Sequence, residues 1–204
     1  RAESLIKETL KTEEEKFFSE KLGEKLAKDG KQSDLIAGNN VYAHVPDIND
    51  FMAGIARLLK PKGRASIEFP HLLRLLAGNQ FDTIYHEHYS YLSLQVVQRL
   101  AATAGLLVVD VETLPTHGGS LRLWLAPQGA GCKPSAAVRD VVLEEQAAGL
   151  ETFEAWSDFQ KRAEAVKNGL VINQRTGTNG YNSEAKSTAP VNVDCNTIPA
   201  TGTS

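Results

Sequence analysis

One segment of the chain, Phe81-Asp82-Thr83-Ile84-Tyr85-His86-Glu87-His88-Tyr89-Ser90-Tyr91, gathers two histidines, a glutamate and three tyrosines. Imidazole exchanges protons near neutral pH, a phenol can donate to a developing oxyanion, and a carboxylate can orient an imidazole. These are the parts needed to remove a proton beside a carbonyl group. A polar surface turn with no chemical role has the same composition. A metal site is the rival chemistry: in an extended segment His86 and His88 share a face, and His44 or His117 could complete the ligand set.

Two further clusters qualify. His44 lies in Asn39-Asn40-Val41-Tyr42-Ala43-His44-Val45-Pro46-Asp47, just after an apolar run that reads as a strand. Ligands of open α/β sheets bind at the carboxyl ends of strands. There His44, Asn39 and Asn40 either meet a ligand or form a solvated Asx turn. In Thr116-His117-Gly118-Gly119-Ser120-Leu121-Arg122 the two glycines permit close backbone approach and equally suit a hairpin turn. Glu68, near the end of a second strand, could face the same cleft. No GxGxxG or GxxxxGK motif occurs, so no phosphate cradle is legible.

The elements that must position these groups follow from periodicity. Thr12-Glu13-Glu14-Glu15 has the form of a capping box, Phe18, Leu22 and Leu26 recur at helical spacing, and Gly30 is a stop. Asp34–Gly38 predicts a buried strand. Asp47 caps a helix from Ile48 to Leu59, with Phe51, Ile55, Leu58 and Leu59 on its apolar face. Lys60–Gly63 reads as a turn, Arg64–Phe69 as a strand stopped by Pro70, and Leu72–Leu76 as a short helix. Ser93–Ala104 is amphipathic and ends at Gly105; Leu106–Leu114 and Ser120–Ala126 are strands. Strand-helix alternation predicts an α/β fold with a parallel sheet, and the short link between the last two strands makes them antiparallel. A helical stretch follows from Ser135 to Asn168, with Val138, Val142, Leu150, Phe153, Trp156 and Phe159 approximating one stripe and Gly149 breaking it. From Gly169 on, Thr, Asn, Gly and Ser dominate, which predicts weak structure.

Bulk properties narrow the class. In 204 residues, 22 basic and 25 acidic side chains give a net charge of −3, with 42% hydrophobic and 23% charged residues. Collagen, a fully disordered chain and a coiled-coil rod are excluded. The balance carries no electrostatic footprint for nucleic acid or an anionic membrane. No apolar run approaches the ~20 residues of a membrane span, and the N-terminal Lys/Glu pattern lacks a signal-peptide core. Cys132 and Cys195 are far apart and outside any CxxC pair, which suits a reduced, cytoplasmic protein. The initial Arg suggests a partial chain.

Asn39-Asn40-Val41 through Asp47, Glu68-Phe69-Pro70-His71, Phe81 through Tyr91, and Thr116 through Arg122 together resemble the S-adenosylmethionine-dependent sugar C-methyltransferases. Those enzymes act on nucleotide-linked keto-deoxysugars, typically at C-3. The resemblance covers about Phe17 to Leu170 and consists of four motifs in order. It implies the second half of a class I methyltransferase Rossmann-like sheet followed by a helical segment. The divisions are an N-terminal helical segment (1–30), a partial methyltransferase domain (31–130), a helical linker (131–170) and a tail (171–204). The tail's Gly180-Tyr181-Asn182-Ser183-Glu184-Ala185-Lys186 faintly resembles a glycine-rich segment that opens the family's C-terminal domain. The family's cysteine-rich zinc module and glycine-loop strand have no counterpart here, so zinc is not expected.

The resemblance implies that His88 is the general base, that Glu87 holds its imidazole, and that Tyr85 and His44 contact the sugar and stabilise an enolate oxygen. Asn39 and Asn40 would line the cofactor side, with His117 and Arg122 on the substrate side. S-adenosylmethionine and a nucleotide sugar are the implied partners, with no nucleic acid and no membrane. The alternative is a non-catalytic remnant or interaction module that has lost the cofactor pocket. A half-sheet would expose an open strand edge that favours self-association.

Overall fold

The computed structural model describes residues 18–176. Helix α1 (Glu20–Lys28) is capped by Ser19, whose hydroxyl accepts from the Leu22 amide at 3.2 Å. The capping box at Thr12–Glu15 lies outside the described residues. Strand β1 (Ser33–Asn39) leads through a 3-10 turn (Tyr42–His44) to α2 (Ile48–Leu58). The Asp47 carboxylate caps α2 as its sequence position predicts, accepting from the amides of Asn49 and Asp50. Strand β2 (Leu59–Pro70), α3 (Leu72–Ala77), α4 (Leu94–Thr103), β3 (Leu106–Leu114), β4 (Ser120–Pro127), α5 (Ala136–Ala147) and α6 (Glu154–Thr176) complete the order.

The sheet runs β1-β2-β4-β3. β1 and β2 are parallel across the α2 crossover, and β4 is antiparallel to both of its neighbours. The expected arrangement, parallel strands closed by one antiparallel strand, is therefore present. Its inner face is apolar: Ala65, Ile67 and Phe69 of β2, Leu121, Leu123 and Leu125 of β4, and Leu106, Val108 and Val111 of β3. A register shift between Val108 and Asp110 turns both Val108 and Val111 inward. Against this face pack Phe51, Met52 and Ile55 of α2, Leu94, Val97 and Ala101 of α4, and Val138 and Val141 of α5. Burying an aliphatic side chain of this kind stabilises by about 1.5–3 kcal/mol. The sheet is thus a rigid platform whose loops can be aimed.

Four expectations need correction. β1 is an edge strand with Leu35 58% exposed, because among the described residues it pairs only with β2. Lys60–Gly63 lies inside β2 rather than before it: Ser33 pairs with Leu59 and Leu35 with Arg64, so the intervening residues bulge out of the register. Gly149, at a φ of 67°, breaks the C-terminal helical stretch where its sequence position predicts, but Phe153 leaves the stripe and is 81% exposed. Helix α5 buries Val138, Val141 and Glu145, with Val142 half-buried against the same core. The last helix also reaches Thr176, past the point where composition suggests weak structure; the rest of the tail lies outside the described residues. No described helix is long and apolar enough to cross a membrane.

Candidate active site

The segment after α3 is neither helix nor extended strand. It makes a 3-10 turn (Phe81–Thr83) and then bends back, with the amides of Tyr89 and Ser90 donating to the Ala43 carbonyl at 2.9 and 3.2 Å. These bonds press the loop against the Tyr42–His44 turn. His44 and His88 thereby meet, their ring centroids 4.7 Å apart.

A backbone carbonyl can only accept a hydrogen bond, so each ring's contact with a carbonyl assigns its tautomer. His88 Nδ1 lies 2.9 Å from the Thr83 carbonyl oxygen and must carry a proton there. In the neutral ring its Nε2 is then a lone pair, and the Tyr85 hydroxyl donates to it at 3.2 Å. His44 Nδ1 donates in the same way to the Glu87 carbonyl oxygen at 2.9 Å. Its Nε2 is a lone pair when the ring is neutral and an N–H donor when it is protonated. Tyr85 stacks over His88 at 4.3 Å, and Tyr91 meets the same ring edge-on at 6.0 Å. Burial raises the Tyr91 pKa, a hydrogen bond involving the Tyr85 backbone opposing it, so this phenol stays protonated.

Three of the four residues implied as catalytic are thus brought together: His44, Tyr85 and His88. Glu87 is placed differently. Its carboxylate is exposed and lies 3.9 Å from His86 Nε2, while its backbone carbonyl orients His44. The partner of His88 Nδ1 is Thr83. A backbone carbonyl has no residue type, which is why no motif announces it. His86 is 89% exposed in side chain, with its ring edge-on to that of Tyr85 at 6.4 Å, and the segment is bent where shared-face metal binding needs it extended. No group of three or more His, Cys, Asp or Glu able to hold a metal gathers among the described residues.

A second cluster lies at the carboxyl ends of the strands. The Asn40 amide donates to the Glu68 carbonyl at 3.0 Å with a φ of 53°. The buried Glu68 carboxylate accepts from the Thr116 hydroxyl at 3.2 Å and from Arg122 at 3.0 Å. Arg122 also reaches Glu112, which accepts from the Trp124 indole at 2.8 Å. Arg122 is therefore committed to two carboxylates, and no contact joins it to the His88 group. His117 is exposed, in the left-handed region at a φ of 52°. The carboxamides of Asn39 and Asn40 form no hydrogen bond with another described side chain or backbone group, which suits recognition of a polar ligand at the strand ends.

Sequence reasoning missed one buried pair. His71 and Glu145 are 1% and 0% exposed, with Nε2 and Oε1 2.8 Å apart. The same carboxylate accepts from the Leu94 and Gln95 amides at the N-terminus of α4. The signal was a glutamate four residues after Val141 on an otherwise apolar stripe.

A family model for a methyltransferase domain matches residues 4–111, just over half of the chain. A second, for a C-methyltransferase C-terminal domain, matches residues 115–190. This chain belongs to the methyltransferase-domain family. C-methyltransferase NovU of Streptomyces niveus is 36% identical over 179 residues, which cover 84% of this chain and 42% of that protein. The chain thus spans about two-fifths of the length of the curated relative it matches. Among solved structures, the Haloferax volcanii complex of the Trm112 methyltransferase activator with a putative methyltransferase aligns at a TM-score of 0.41 and 15% identity, over 48% of this chain and 55% of that one. Magnesium protoporphyrin IX methyltransferase of Synechocystis aligns at 0.37 and 16%, over 49% and 47%.

Proposed function

We propose that this chain supplies the proton-abstracting half of an S-adenosylmethionine-dependent C-methyltransferase acting on a nucleotide-linked keto-deoxysugar. The observation that carries the reading is the bare Nε2 of His88 beside the Tyr85 hydroxyl, with the imidazole locked by Thr83. A base must present a lone pair to carbon, and the locked tautomer presents it on the side where the phenol lies. The Tyr85 O–H that now points at Nε2 is also the donor an enolate oxygen needs. A ketone entering between them takes that hydrogen bond to its oxygen and leaves Nε2 open to the neighbouring C–H. The C–H electron pair then moves into the enolate, and the proton moves to Nε2. The resulting imidazolium keeps its Nδ1–H on Thr83. His44 adds a second donor to the oxyanion when its Nε2 is protonated.

Asn39 and Asn40, at and just past the end of β1, would hold part of the methyl donor through their carboxamides. S-adenosylmethionine, when bound, supplies an electrophilic methyl on sulfonium. The full-length protein, given S-adenosylmethionine and nucleotide-linked keto sugars, should methylate carbon, and His88→Gln should slow turnover by about 10²- to 10⁴-fold. Normal turnover in His88→Gln would overturn the reading.

A further inference from the structure

We propose that Gln80 is a positioning residue for His88, clasping the Thr116–Gly118 turn to the turn that orients the imidazole. This rests on the reading of His88 as the base. Gln80 Nε2 donates to the Gly118 carbonyl at 2.8 Å. The Gln80 carbonyl in turn accepts from both the amide of Thr83, at 3.1 Å, and its hydroxyl, at 2.7 Å. Those two bonds hold Thr83 from its amide and its side chain, and its carbonyl holds His88 Nδ1. A continuous path therefore runs from the Gly118 carbonyl to the tautomer of the base. The Gln80 amide donates to Leu75 at 2.9 Å, which fixes the clasp to α3. At the far end the Thr116 hydroxyl ties the turn to Glu68.

Gly118 is shaped for this contact. Its φ is 75°, and a Cβ there would lie 2.5 Å from Gln80 Nε2 and 2.6 Å from Oε1. The carboxamide lies flat against a bare glycine. Glutamine suits the place because its N–H reaches a carbonyl; an apolar side chain of like length fills the space and loses the bond.

The test compares wild type, Gln80→Met, Gln80→Ala and Gly118→Ala in the full-length protein. Long-range 1H–15N correlations of the His88 ring report which nitrogen carries the proton, without any need for turnover. Wild type should show the Nδ1–H form. The variants should show mixed tautomers, with kcat lowered about 10- to 100-fold and KM for S-adenosylmethionine within about twofold. A His88→Gln/Gln80→Met double variant should be no slower than His88→Gln alone. An unchanged tautomer with unchanged kcat in Gln80→Met, or a further loss in the double variant, overturns the proposal. Gln80→Met keeps the side-chain volume, so it decides the matter if the alanine variants fail to fold. Normal turnover in His88→Gln would instead remove the base reading, and the tautomer comparison would still judge Gln80.

Discussion

The imidazoles of His44 and His88 face each other at 4.7 Å, and each spends its Nδ1–H on a main-chain carbonyl, Glu87 for one and Thr83 for the other. Their Nε2 atoms are the edges left for chemistry. The backbone thus decides which nitrogen of each ring is left open, and Tyr85 lies against only one of the two.

His44 donates to an oxyanion only from Nε2. His44→Gln retains a donor, whereas His44→Phe retains only the ring. We expect kcat to fall about 10²- to 10³-fold in His44→Phe, with a clearly smaller loss in His44→Gln. Steady-state kinetics on the full-length protein check this. A smaller loss in His44→Phe than in His44→Gln would mean that the ring stacking, not the donor, matters.

Tyr85→Phe removes the hydroxyl that Nε2 accepts from. The ring stack survives, so substrate binding should hold while kcat falls about 10²-fold or more. A change in KM with kcat intact would place Tyr85 in binding alone.

Glu145 couples α5 to α4 and to His71. Burial raises its pKa, but the His71 hydrogen bond and the Gln95 and Leu94 amides outweigh it, leaving the carboxyl below its ordinary value. A lowered folded-state pKa gives stability that is present above the unfolded value, near 4.3, and is lost as pH falls through the folded value. Glu145→Ala should cost about 3–5 kcal/mol at pH 7 by leaving His71 and two amides unpaired. Urea denaturation measures it. The gap between wild type and Glu145→Gln should narrow below about pH 4; a constant gap would mean the charge contributes nothing.

How far this was legible depends on whether side chains or backbone do the holding. Asp47, Ser93 and Gly105 mark their helix ends by residue type, and α2, α4 and β3 fall where the spacing puts them. His44, Tyr85 and His88 are chemically conspicuous and do converge. Thr83 and Gln80 act through backbone carbonyls and one exposed amide, which no spacing rule reveals. Glu145 was hidden by its charge, since a glutamate on a helix reads as solvated until its partners are seen. The bulge at Lys60–Gly63 mimics a turn because a looped-out β-register has turn chemistry.

The α1–α2 crossing offers a test of packing. A Cβ on Gly54 would lie 2.6 Å from the Ser19 carbonyl oxygen and 2.8 Å from Phe18 Cε1. Alanine gains about 1 kcal/mol over glycine inside an exposed helix. Here the backbones must part, which costs about 1–3 kcal/mol. Gly54→Ala should therefore be net destabilising by thermal melting; a raised melting temperature would show that the helices yield freely.

Proton removal by His88 can be followed without methyl transfer. The full-length protein is incubated in D2O with the nucleotide-linked keto sugar and no methyl donor, and deuterium at the carbon beside the ketone is read by mass spectrometry. Wild type should wash deuterium in, and His88→Gln should slow the exchange by about 10²- to 10⁴-fold. Exchange at the wild-type rate in His88→Gln would contradict the assignment of His88 as the base.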